Sequence, residues 1–131
     1  MEGEATGRLF RSAWVEGVLR NHPGVPKSGY VAPWEEMPDW ERDSARAVAE
    51  QIGRLVEGAD GRTTGLTRDQ RGQFVATCWI AQVHRHFPSP KPSYVTPWEE
   101  MPEWQRATDV HIFDVIEASV LSAIGKRVPA G

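Results

Sequence analysis

Three arginines and four aromatic rings are the residues of this chain best equipped for chemistry: Arg42, Arg46 and Arg106, with Tyr30, Trp34, Tyr94 and Trp98. A guanidinium is a permanently charged planar fork that fits phosphate or carboxylate, and an indole or phenol ring offers a face on which a planar base can stack. Arg42 and Arg46 are four residues apart, so on a helix they share one face a turn apart and can converge on one anion. The spacing is therefore compatible with binding of an anion, and the rings with stacking of a planar group beside it.

Other chemistries fit less well. Glu35-Glu36 and Glu99-Glu100 are paired carboxylates, yet neighbouring turn residues diverge and no nucleophile accompanies them, so no acid–base catalysis is expected. His84-Arg85-His86 lacks the ligand spacing of a metal site, and no metal or cofactor is expected. The single cysteine, Cys78, lies in the apolar run FVATCWIAQV and reads as a buried, inert thiol. The competing reading of the seven residues is structural. Trp34 and Trp98 would anchor turns, Arg42 and Arg106 would pair with Glu36 and Glu100, and Glu50 would serve Arg46. The protein would then be a structural or protein–protein interaction module.

The elements that must hold these residues are written twice. PWEEMP runs from Pro33 to Pro38 and again from Pro97 to Pro102, 64 residues later, and the same offset matches Pro26, Lys27, Tyr30, Val31, Trp40 and Arg42 to Pro90, Lys91, Tyr94, Val95, Trp104 and Arg106. Phe10/Phe74 and His22/His86 keep that offset, whereas Val110 stands where Arg46 stands in the first copy. Proline fixes its own φ and keeps the preceding residue extended, so the four residues between the prolines can make one tight turn at most.

Each copy reads as helix, proline-rich loop, helix. Leu9, Phe10, Ala13, Trp14, Val18 and Leu19 recur at helical spacing, as do Phe74, Val75, Cys78, Trp79 and Val83 behind a Thr67–Gln70 capping box. Pro38 and Pro102 suit the first position of the later helices, whose stripes Trp40, Val48, Ile52, Val56 and Trp104, Ile112, Ile116, Val120 should be buried, tryptophans included. Thr96 to Glu99 has capping-box spacing, and Gly58 to Gly65 reads as a flexible connector. The expected fold is mainly all-α: one domain over residues 1–131, with two helix-loop-helix repeats (about 5–58 and 66–125) related by a pseudo-twofold axis. At most, short β-bridges form near Tyr30-Val31 and Tyr94-Val95.

The succession His22-Pro23, Pro33 to Pro38, then Arg42 and Arg46 on the next helix, with Trp14 on the leading helix, resembles the ryanodine-receptor repeat (RyR) domain. Trp79, His86, Pro97 to Pro102 and Arg106 carry the likeness in the second copy. Small actinobacterial and phage proteins look similar. The resemblance implies a noncatalytic binding module, linked in some settings to nucleotide ligands.

Composition sets the remaining bounds. A chain of 131 residues with net charge −3 lacks the concentrated basic face that a nucleic-acid polymer requires. Its start, MEGEATGRLF, lacks the basic and apolar segments of a signal peptide, and no apolar run is long enough to span a membrane. The expectation is a cytoplasmic protein that binds a small molecule or a protein partner, with a homodimer compatible with the sequence.

Overall fold

In the computed structural model, which describes residues 2–127, the chain forms four helices: α1 (Glu2–Asn21), α2 (Asp39–Gly58), α3 (Arg68–His86) and α4 (Glu103–Arg127). The segments between them hold five short 3-10 turns, at Ser28–Tyr30, Trp34–Glu36, Arg62–Gly65, Pro92–Tyr94 and Trp98–Glu100. No strand or bridge is present among the described residues, so Tyr30 and Tyr94 close 3-10 turns and do not enter bridges.

The helices start where their sequences supply a stop for the preceding loop. Thr67 caps α3, its hydroxyl accepting from the Gln70 amide while the Gln70 side chain accepts from the Thr67 amide, which is the expected box. Pro38 and Pro102 lie one position earlier than expected. Each is the residue before its helix, in extended conformation at Pro38, and its carbonyl accepts from the N–H groups of the third and fourth helical residues, Glu41 and Arg42 or Gln105 and Arg106. The 96–99 spacing makes no cap; the Thr96 hydroxyl donates instead to the carbonyls of Pro92 and Ser93.

Helices α2 and α4 form the centre. They pack on each other, and each also packs on α1 and on α3. Val48, Ile52 and Val56 of α2 meet Ile112, Phe113 and Ile116 of α4, with Phe10, Ala13, Val75 and Cys78 of the outer helices closing the core. These are the apolar stripes read from the sequence, and each large aliphatic side chain so buried contributes about 2 kcal/mol. Trp40 and Trp104, at the heads of those stripes, are only half-buried, because the first turns of α2 and α4 face a cleft.

Close approach depends on small residues. A Cβ on Gly17 would lie 2.7 Å from the Thr108 methyl, so glycine there lets α1 cross α4. One on Gly7 would lie 2.6 Å from the Trp34 ring, and one on Gly72 would collide with the Trp98 ring. Each hexapeptide indole therefore seats on a glycine of its own repeat's first helix.

Those two glycines correct the register of the repeat. Gly7 and Gly72, Trp14 and Trp79, Val18 and Val83 are 65 residues apart, and the last helix-closing bond runs from the His22 amide to Val18 in one half and from the Phe87 amide to Val83 in the other. The first helices are thus offset by 65 and the motifs by 64. His22-Pro23 corresponds to Phe87-Pro88, not to His86, and Phe10 corresponds to Val75, not to Phe74. The first loop is one residue longer, and it takes up that residue where Gly24 adopts φ +82° and Val25 stands 94% exposed.

The connector between the halves is held, not loose. Asp60 and Gly61 take positive φ, and Arg71 of α3 donates to the carbonyls of Thr63 and Leu66 while its guanidinium meets Asp114 at 2.9 Å and Glu117 at 2.6 Å on α4. A single side chain thereby fastens the connector to two helices.

Candidate functional site

A cleft of about 500 Å³ opens between the two halves. Its walls come from the first turns of α2 and α4, the middle of α1 and α3, and the two proline-rich loops. Seven aromatic rings line it: Phe10, Trp14, Tyr30, Trp40, Trp79, Tyr94 and Trp104.

The rings form two groups, and each group mixes the halves. Trp104 of the second repeat sits among His22, Tyr30 and Trp14 of the first, at ring distances of 4.7, 5.7 and 6.1 Å. Trp40 of the first repeat sits among Phe87, Tyr94 and Trp79 of the second, at 4.9, 6.1 and 6.1 Å. Both tryptophans are fixed from behind in the same way: the Ser44 hydroxyl donates to the Trp40 carbonyl and the Thr108 hydroxyl to the Trp104 carbonyl. The Trp14 indole N–H donates to the Tyr30 carbonyl, which ties the first loop to α1.

Charge breaks this likeness between the halves. Arg11 is buried on the cleft wall, donating to the carbonyls of Gly29 and Ala32, with Glu41 at 3.7 Å. The corresponding positions of the second half hold Ala76 and Gln105. Burial pushes the Glu41 carboxyl up, and Arg11 opposes that rise. Conversely, Asp109 of α4 stands where α2 has Ala45. Only 6% exposed, Asp109 makes no hydrogen bond or ion pair with any described residue, and burial holds its carboxyl well above the usual carboxylate range. Lys27 completes the charged lining; its ammonium lies 5.8 Å over the Tyr30 ring and has no carboxylate partner among the described residues.

Of the seven residues expected to bind, Tyr30 and Tyr94 lie on the cleft and the other five lie outside its lining. Trp34 and Trp98 are buried at 6% and 8% exposure as anchors of their turns. Arg42 pairs with Asp39, one turn back on its helix, and donates to the carbonyls of Trp34 and Glu35. Arg106 pairs with Glu103 and lies over the Trp98 ring. The expected partners Glu36 and Glu100 are not used, because the helix begins after the second proline and presents Asp39 and Glu103 at the three-residue spacing. Arg46 pairs with Asp43 and covers the Trp34 ring at 5.6 Å, while Glu50 pairs with Arg54.

Among the cleft residues that the expected site leaves out are Arg11, Lys27, Glu41 and Asp109, and the tryptophans Trp14, Trp40, Trp79 and Trp104. The 65-residue spacing of the two first-helix tryptophans was the available signal for them. Nothing in the sequence marks Arg11 or Asp109. Cys78 is buried, and burial pushes its thiol up, while no cluster of three or more metal-ligating side chains exists among the described residues. Among the described residues, no helix is long and apolar enough to cross a membrane.

Compared with protein-family models, curated proteins and solved structures, the chain matches none of them.

Proposed function

We propose that the protein is a noncatalytic binding module that takes a flat, ring-bearing small molecule, of nucleotide type, into the cleft between its halves. The observation that carries this reading is the seven-ring lining of one open cleft of about 500 Å³, a size that suits such a ligand. Lys27 is the cation left at the wall for an anionic end of the ligand. The RyR-like motif then serves the site from behind. Its indoles lock each turn to its own helices, so that the residues just past the motif, Trp40 and Trp104, project into the cleft. The large exposed apolar side chains are Leu19, Val25 and Tyr94, and such scattered residues give a protein-interaction surface little support.

Tryptophan fluorescence and thermal shift against mono-, di- and cyclic nucleotides, with ribose phosphate as the ring-free control, test the proposal. A bound ring should raise stability by about 2.7 kcal/mol at a hundred times its dissociation constant, and ribose phosphate should not. Tyr94→Ala should weaken binding while Arg46→Ala preserves it. The reverse pattern would move the site to the outer face of α2.

A further inference from the structure

Asp109 has no structural task that the fold reveals. A buried carboxyl ordinarily hydrogen-bonds or pairs, because leaving it bare costs several kcal/mol. The cations that share its cleft are committed or distant. Arg11 donates to the Gly29 and Ala32 carbonyls and is ion-paired with Glu41 at 3.7 Å, and Lys27 lies over Tyr30. The other carboxyl of the lining, Glu41, belongs to Arg11, and Arg71 is engaged by Asp114 and Glu117 behind the cleft. What remains is a carboxyl aimed into an aromatic-walled space with both oxygens unclaimed. The matching residue of the other half is alanine, so the repeat itself does not call for it.

We infer that Asp109 is the specificity-determining residue of the cleft, and that the ring bound there presents a pair of adjacent N–H donors to it: an amidinium, or the protonated amidine edge of an aminoheterocycle. This rests on the cleft being a ring-binding site. A carboxylate accepts two parallel N–H bonds in a bidentate, charge-assisted pair, whereas a flat aromatic wall gives affinity with little discrimination. Flanking tryptophan and tyrosine faces also favour a delocalised cation. A cationic edge displaces the proton that burial holds on the free carboxyl and forms the charge-assisted pair, whereas an edge that offers one donor and one acceptor meets only the protonated acid, in a neutral pair without charge assistance.

Benzamidine and benzamide are near-isosteric probes that differ in this edge. Isothermal titration at neutral pH should show the wild-type protein binding benzamidine at least tenfold more tightly than benzamide. Asp109→Asn offers one acceptor and one donor, so it should lose that preference or reverse it. Because Asp109 is held in the free protein without a partner, the same substitution should leave the melting temperature unchanged or raise it. Equal binding of the two probes, unaltered by Asp109→Asn, overturns the inference and leaves the ring-binding cleft standing. Failure of both probes to bind overturns the two together. A melting temperature lowered by several degrees in Asp109→Asn makes the residue structural and also overturns the inference.

Discussion

At the scale of single residues, the two buried charges of the cleft are opposites in kind. Arg11 donates from Nε and Nη2 to the Gly29 and Ala32 carbonyls and pairs through Nη1 with Glu41, so Arg11→Ala strands a partly buried carboxylate and three carbonyl contacts; the expected loss is about 3–5 kcal/mol, read by urea unfolding. Arg11→Lys should recover little of it, since an ammonium cannot reproduce the fork. Asp109 is the reverse, a group whose ionisation the fold resists. Its raised pKa means the native state holds a proton that the unfolded chain has already released. By linkage, stability is highest below the unfolded carboxylate value, about pH 4, and falls as pH rises toward the native value. Asp109→Asn should therefore match the wild type in melting temperature near pH 4 and exceed it increasingly toward neutral pH. A gap that narrows with rising pH, or a variant less stable throughout, would falsify this assignment. Neither residue was legible in the sequence. An isolated arginine or aspartate on an amphipathic helix looks like solvated surface, and only the tertiary packing, of Arg11 against its own loop and of Asp109 along the cleft, reveals that these two are enclosed.

At the scale of elements, the sequence was far more informative, because its signals there are periodic. The helical stripes, the Thr67 cap and the paired tight turns all follow from spacing and from the geometry of proline. The register of the first helices escaped because two phenylalanines and two histidines coincide at 64 residues, while the functional equivalence, Gly7 with Gly72 and Trp14 with Trp79, runs at 65. Those glycines carry the clearest prediction about an element. A helical Gly→Ala change ordinarily gains about 0.5–1 kcal/mol, as expected for Gly125, whose added Cβ meets nothing within 4 Å. At Gly72 the new methyl meets the rim of a rigid, buried indole and the Val110 side chain, so overpacking outweighs the propensity gain. Gly72→Ala should cost a net 1–3 kcal/mol and disturb the near-ultraviolet signal of Trp98. Equal melting temperatures for Gly72→Ala and Gly125→Ala would show that the indole seat is slack.

At the scale of the whole molecule, the halves are interlocked. The tryptophan that opens each repeat's second helix is housed by the other repeat, Trp104 by Trp14, His22 and Tyr30, and Trp40 by Trp79, Phe87 and Tyr94. Helices α2 and α4 also share one core, so neither repeat contains a complete hydrophobic interior. A piece of about 60 residues is marginal even with its own core. Residues 1–61 and 62–131, produced separately, should each lack a cooperative thermal transition, and mixing them should restore helicity and the near-ultraviolet tryptophan signal as a 1:1 complex. The charge asymmetry decides which pairing forms. Two copies of the second repeat would bring two partnerless Asp109 carboxyls to one cleft with no Arg11 between them, a repulsive arrangement at neutral pH. Two copies of the first would enclose two Arg11–Glu41 pairs and no Asp109. Sedimentation of the separate pieces should therefore show the second-repeat fragment self-associating only at acid pH, if at all, and the mixed complex dominating at pH 7. A second-repeat fragment that melts cooperatively by itself at neutral pH would mean that each repeat is a self-sufficient fold and that the cleft is merely the space between two domains.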